Sequence, residues 1–286
     1  MQDVGVITAS YRYSRYLTYS HLACASLFLW EHVLTSRYEF ELIWKAKWGL
    51  GKALFLLARY LVWPQLVATL LVDFSFPDAH HCHIVFVIFS DYWAVLIAAI
   101  ASVILVLRTW ALWESKRCVL IGLLVALCGA LVPIIYIHVQ TVSDVQYVPY
   151  TTYSAHLRLP GCTLTSSRRK EWVTFIIASC FDLLILCMTV TKAAKIGLRG
   201  VSGLISVLYR DGIVYFACMF AVSISNLGLI AVAPIEYIGL LRILQGVARS
   251  ILACRIILHL REASSVADTD DLRTYSHAWN WGEGEG

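Results

Sequence analysis

Charge is what this 286-residue sequence has least of. Asp, Glu, Lys and Arg make up 15% of it, against roughly 25% in ordinary soluble domains, while 59% is apolar or aromatic. Such a balance leaves too little polar surface to wrap a water-soluble globule and points to the membrane. The formal net charge is only +4, and no basic run interleaved with aromatics occurs, so nucleic acid is excluded as a partner. Catalytic signatures are missing as well. No Ser-His-Asp set, phosphate-binding loop or paired-carboxylate motif falls in the apolar segments, so neither an enzyme nor a cofactor is expected. The lysines are Lys45, Lys47, Lys52, Lys116, Lys170, Lys192 and Lys195. None lies in the last two apolar segments, which rules out a retinal Schiff base on the final helix. No cleavable signal pattern precedes the first apolar run, which is expected to act as an uncleaved signal anchor. No internal repeat is visible, which weighs against an inverted-repeat transporter.

Long apolar runs are what the sequence does have. A hydrocarbon layer about 30 Å thick takes roughly 20 apolar residues as a helix. Val119–Val139 and Ile213–Ile235 meet this without a single charged residue. Tyr16–Thr35, Leu50–Val72, Ile84–Leu107, Trp172–Thr191 and Tyr237–Leu260 meet it once one to three internal charges are allowed. The expected fold is an all-α membrane protein, a bundle of seven transmembrane helices over residues 16–262. The count drops to six if the charge-bearing last run is re-entrant or lies on the surface. Residues 1–15 are expected outside as a short N-terminal segment. Residues 263–286, with Asp268, Asp270, Asp271, Glu283 and Glu285 and little apolar content, are expected as a disordered cytoplasmic tail.

Lys and Arg near the ends of the runs set the orientation. With the N-terminus outside, thirteen lie on the cytoplasmic side and six outside, which favours N-out and C-in. Arg168, Arg169 and Lys170, at the mouth of the fifth run, are the contrary signal. The expected location is the plasma membrane.

Most of the nine cysteines fall within the runs, where Cys acts as a small hydrophobe. Cys118, at the inner end of the fourth run, is a candidate for palmitoylation. Cys82, before the third run, and Cys162, in the long outer loop, are both outside in this orientation. They are the candidate disulfide, with two free thiols as the alternative. His80, His81 and His83 surround Cys82 in a His/Cys tract. Adjacent side chains cannot all turn to one ion and no carboxylate stands at a diagnostic spacing, so no metal site is assigned.

Charges inside the runs matter most, because an ionisable group at membrane depth must be paired and marks a candidate site. Asp91 and Arg242 lie at matched depth in the outer halves of the third and seventh runs, so an ion pair or shared pocket is expected there. Arg249 follows Arg242 by seven residues and shares its helical face, with Gln245 between them. These four form a candidate outer binding pocket. Asp182 lies near the middle of the fifth run. Glu31, Arg59 and Arg255 fall in the inner half and form a candidate structural charge cluster.

The run from Glu39 to Trp48, Glu-Phe-Glu-Leu-Ile-Trp-Lys-Ala-Lys-Trp, leads on to Lys52, Arg59 and Tyr60. It resembles the N-terminal signature of a fungal family of multi-pass membrane proteins, domain-of-unknown-function family 6533. The match is carried by Glu41, Trp44, Lys52, Arg59 and Tyr60 over about residues 16–63. Members often carry Asp-Tyr late in the first span, where this chain has Glu31-His32. The run Leu107-Arg-Thr-Trp-Ala-Leu-Trp113 is similar to a second element of the family. The resemblance implies a membrane protein and assigns no activity. The spacing of Glu41, Trp44, Lys45 and Trp48 points to an amphipathic turn on the cytoplasmic surface.

Seven spans, an outer disulfide to the top of the third and Arg108 at its inner end together resemble a G-protein-coupled receptor by architecture alone. Leu107 replaces the usual acidic neighbour, and the proline motifs of the last two spans are missing. The expected function is a receptor-like sensor. Its partners would be the lipid bilayer, an extracellular small molecule or peptide, and a cytoplasmic effector. The alternatives are a small-molecule transporter and a structural or lipid-interacting protein.

Overall fold

The computed structural model describes residues 2–75, 80, 84, 88–89, 92–144, 147–149, 162–164, 171–197, 217–229 and 241–280. They form a helical bundle. Helix α1 (Gln2–Glu39) runs into a wide π-helical turn (Phe40–Trp44). There follow α2 (Leu50–Tyr60), α3 (Val62–Phe74), α4 (Trp93–Leu112), α5 (Arg117–Asp144), α6 (Glu171–Gly197), α7 (Ala217–Leu229) and α8 (Arg242–Asn280). Between α5 and α6, strands β1 (Tyr147–Pro149) and β2 (Cys162–Leu164) pair antiparallel, with Val148 opposite Thr163. The segment between α5 and α6 therefore adds a short ladder to an otherwise all-α design among the described residues. Cys162 opens β2, whereas Cys82 lies outside the described residues, and so does their expected pairing. Seven other cysteines, from Cys24 to Cys254, are free thiols.

Among the described residues, five helical stretches are long and apolar enough to cross a membrane: Leu50–Phe74, Trp93–Leu112, Arg117–Gln140, Trp172–Lys192 and Arg242–Glu262. This is a multi-pass membrane design in which five of the seven expected spans qualify. Helix α1 has the length, but Tyr16, Tyr19, Ser20, His21, Trp30, Glu31 and His32 dilute its apolar stretch. Of the sixth expected span, Ala217–Leu229 is described.

The second span is broken at Leu61, three residues before Pro64. Proline has no N–H to donate to the Tyr60 carbonyl, and its ring crowds that carbonyl, so the helix bends. The indole of Trp93 donates to the carbonyl of Leu61 at 2.6 Å, fastening the bend to the start of α4. At the other end of the chain, α8 continues helically to Asn280, where a disordered tail from Ala263 was expected. Asp and Ser make a segment polar without breaking a helix, and no Gly or Pro occurs between Ala263 and Asn280. Residues 2–15 likewise belong to α1 rather than forming a separate segment.

Helix α8 is the centre of the bundle and packs against α1, α2, α3, α4 and the π-helical turn. Its Cys254, Ile257 and Leu258 join Ile43, Phe55, Ala58 and Ile104 in one core. Its Ile243 and Val247 join Phe28, Leu66 and Ile97 in another. Helix α5, by contrast, packs mainly on α4 and α6. Ile121, Val125, Val132 and Tyr136 recur at four- and seven-residue intervals and are 62 to 66% exposed, an apolar stripe suited to lipid rather than water.

The tight turn from α4 into α5 places two non-glycine residues in the left-handed region, Glu114 at φ 58° and Ser115 at φ 55°. It is docked onto the end of α6. Trp113 donates its indole N–H to the Met188 carbonyl at 3.3 Å, and Lys192 donates to Glu114 Oε1 at 2.5 Å. The hydrogen bond and charge of Lys192, with Lys116 adding to them, hold the Glu114 carboxyl below its usual 4.5.

Two predictions follow from this turn. A non-glycine residue in the left-handed region costs about 1–2 kcal/mol. Ser115→Gly is therefore expected to raise the midpoint of thermal unfolding in detergent, and an unchanged or lower midpoint contradicts the strain. Because the Glu114 carboxyl is held low by folding, its contribution is present above pH 4.5 and is lost as pH falls through the lowered value. The stability gap between the native chain and Glu114→Gln should accordingly be constant near neutrality and close on the acid side of 4.5.

Candidate functional site

Among the described residues, two polar assemblies and a cavity lie in the interior. The first surrounds the π-helical turn. Glu39 ends α1 with 3% of its surface exposed and gathers three partners. Arg59 Nε forms an ion pair with its Oε2 at 2.7 Å. The Tyr60 hydroxyl donates to Oε1 at 2.8 Å and the Trp44 indole donates to the same oxygen at 3.1 Å. Arg59 also donates from Nη2 to the His32 carbonyl at 3.0 Å. Lys52 donates to the carbonyls of Trp44 and Ala46, each at 3.0 Å, and its ammonium lies 4.9 Å from the centre of the Trp48 ring. The last turn of a helix leaves carbonyls without N–H donors. Here a lysine from the next helix supplies the donor where the chain reverses.

Four of the five residues picked out in the sequence signature, Trp44, Lys52, Arg59 and Tyr60, thus meet in one network. The fifth does not. Glu41 is exposed and faces Arg37 at 3.4 Å, and the buried acid is Glu39. Position along the turn decides between the two glutamates, because a π-helical turn rotates the chain out of the 3.6-residue register. In the helical register Glu41 falls with Trp44 and Lys45, and all three are exposed, so helical spacing describes the surface of the turn and leaves the buried acid unmarked.

The rest of the inner charge group is brought in by α8. Arg255 meets Glu31 through two parallel bonds, Nε to Oε1 at 2.6 Å and Nη2 to Oε2 at 2.7 Å, the fork geometry that suits a guanidinium to a carboxylate. Arg261 donates to the Leu42 carbonyl at 2.7 Å, and Ser250 donates to the Ala58 carbonyl at 2.6 Å. Glu31, Arg59 and Arg255 therefore lie in two separate ion pairs, with Glu39 as the acid of the second.

The second assembly is a chain of buried hydrogen bonds across α6, α7 and α8. Asn226 Nδ2 donates to Gln245 Oε1 at 2.7 Å, and Gln245 Nε2 donates to Ser223 Oγ at 2.9 Å. Ser223 in turn donates to Asp182 Oδ2 at 2.8 Å, where Arg249 Nη2 also donates at 2.7 Å. The side chains of Asp182 and Arg249 are 3% and 6% exposed. Desolvation at that depth requires the pairing. The partner of Arg249 is thus the mid-span acid of α6. Asp91, named with it in the sequence, lies outside the described residues.

Beside this chain is a cavity of about 120 Å³. Arg242, Gln245, Gly246 and Arg249 form its α8 wall, at spacings of one and two turns. Small residues of α4 (Ala94, Ala98) and the side chains of Leu127, Ile134 and Phe175 make most of the rest. His138 and Thr174 add polar groups at the end nearest the β1–β2 ladder. Among the described residues, three of the four outer-pocket residues read from the sequence, Arg242, Gln245 and Arg249, share this one hollow.

Residues 19–63 match the model of a family of unknown function (DUF6533). No curated protein and no solved structure matches the chain. The DUF6533 stretch covers the second half of α1, the π-helical turn and α2, and so contains every member of the Glu39 network. What that stretch encodes is a helical hairpin with an ion pair at its closed end.

That geometry separates the two glutamates experimentally. Glu39→Gln removes the counter-charge of a buried guanidinium and is expected to cost about 3–5 kcal/mol, seen as a large drop in unfolding midpoint and in monodisperse yield. Glu41→Gln, on an exposed pair, should stay within about 0.5 kcal/mol. Equal effects of the two substitutions contradict the assignment.

Proposed function

We propose that the chain is a receptor-like sensor of a small molecule, held in the membrane with its N-terminus outside and its C-terminus in the cytoplasm. The observation that carries this reading is the position of α8. One continuous helix forms the polar wall of the cavity through Arg242, Gln245, Gly246 and Arg249. Fewer than two turns beyond Arg249 it holds Glu31 through Arg255, and more than three turns beyond Arg249 it holds Leu42 through Arg261. A ligand that shifts the cavity wall moves the same rigid element that braces the inner hairpin. Discrete repacking of a helix of this kind is how small displacements at a site reach a distant face. The effector is then a cytoplasmic partner of that inner face, and the plasma membrane is the location in which an outward-facing cavity meets external ligands.

The cavity also supports a small ligand by size. A void of about 150 Å³ lined by apolar side chains holds a benzene ring, and this hollow is of that order with polar groups along one wall. Its test uses Gly246. A β-carbon built there meets nothing within 4 Å, so Gly246→Leu places its side chain in open space and removes a helix-weakening glycine. Purified protein in lipid nanodiscs is screened by thermal shift against ring-sized carboxylates, phosphonates, amides and amines. At least one class is expected to raise the midpoint of the native chain and to lose that effect in Gly246→Leu. No response, or an equal response in both proteins, favours a structural role. Substrate flux in proteoliposomes favours a transporter instead.

A further inference from the structure

We infer that the cavity binds a small carboxylate-type monoanion and takes up one proton with it, the proton going to Asp182. The inference rests on the reading of the hollow as a ligand site and names both its ligand class and the event that accompanies binding.

Arg249 is shared between two places. Its side chain forms part of the cavity wall, and its Nη2 is bonded to Asp182 Oδ2 at 2.7 Å. Arg242 stands two turns away on the same wall, so both charged groups lining the hollow on α8 are guanidiniums. An anion entering here meets the planar fork of Arg249, which suits a carboxylate and repels an amine. The remaining wall is apolar, which favours a ring or short alkyl body behind the anionic head.

An anion that takes Arg249 deprives Asp182 of its counter-charge. Asp182 is then a lone carboxylate among packed helices, and burial of an unpaired charge is relieved by neutralising it. Its second oxygen is prepared for this. Oδ1 is buried with no hydrogen-bond partner among the described residues, and so is the hydroxyl of Ser179. Ser179 lies three residues earlier on α6, on the same face, and offers an acceptor for a proton on Oδ1. Oδ2 keeps the hydrogen bond from Ser223, so the Asn226–Gln245–Ser223 chain survives the exchange. The charge count closes: one anion and one proton enter together, and the net charge of the buried region is unchanged.

Other groups bear on this equilibrium. From α8 these are Arg249 and Arg242, and from α5 His138. Ser223 comes from α7. Helix α4 presents uncharged Ser102 at the cavity and buried Arg108 further along. His138 carries the other proton-accepting side chain in this set, an imidazole, so it is the competing proton acceptor.

The test uses full-length protein in nanodiscs, benzoate as the anion and benzamide as its neutral counterpart. Calorimetry in two buffers of different ionisation enthalpy gives the protons taken up per benzoate bound. About one is expected, with benzoate affinity rising about tenfold per unit fall in pH and benzamide binding much more weakly. Asp182→Asn, which keeps the shape and the Ser223 bond, should abolish the uptake, flatten the pH dependence and tighten benzoate. His138→Gln should keep the uptake. Benzoate binding without proton uptake, uptake that persists in Asp182→Asn, uptake lost in His138→Gln, or equal binding of benzamide each overturns the inference. So does the absence of benzoate binding. The broader ligand-site reading then stands or falls separately, on whether the thermal-shift panel responds and Gly246→Leu removes the response.

Discussion

A guanidinium buried between apolar helices needs a carboxylate beside it, and much of this bundle is arranged around that requirement. Two such buried pairs, Arg59 with Glu39 and Arg249 with Asp182, organise the described interior, together with the partly exposed pair of Arg255 with Glu31. Each joins two different helices. Apolar packing alone discriminates weakly between neighbouring registers of two helices, since lipid and leucine are nearly equivalent surroundings. A misplaced charge is expensive by comparison, because removing one member of a buried pair strands the other. The pairs therefore specify which helix faces which, and at what height.

Helix α8 carries two of the three arginines and also the wall of the cavity. Its polar residues would be a liability in an isolated span, and the bundle answers each in turn: Asp182 for Arg249, Glu31 for Arg255, the Leu42 carbonyl for Arg261. A helix with so many polar groups must sit inside the bundle rather than against lipid, which is why α8 is central and the largely apolar α5 is peripheral.

The class of the fold was legible because long apolar runs have few readings, and the residues that mattered in α8 were legible because charge within such a run is rare. Arg242, Gln245 and Arg249 fall on one face at sequence spacing, and they do share the hollow. What could not be read was pairing across the bundle. Nothing in the order of residues tells Arg249 that its acid is Asp182, because depth matching leaves several acids at similar heights. Glu41 reads as part of a surface turn and is exposed there; that the buried acid is its neighbour Glu39 has no sequence signal, because a π-helical turn changes the register locally. The helical course of α8 beyond Ala263 was missed because low apolar content was taken for lack of structure, although the residues present are compatible with a helix. The cavity itself has no sequence signal, since it arises from small residues on α4 facing a glycine on α8.

The closed end of the first hairpin bears on how such a chain is made. Glu39, Trp44, Lys52, Arg59 and Tyr60 find their partners within about twenty residues of one another, so the hairpin is electrostatically complete as soon as it leaves the insertion machinery. Glu31 is not. Its arginine lies 224 residues later, and until α8 arrives the first helix carries an unanswered acid. A half-made chain is therefore short of one counter-charge in its first helix, and α8 is the helix that supplies it.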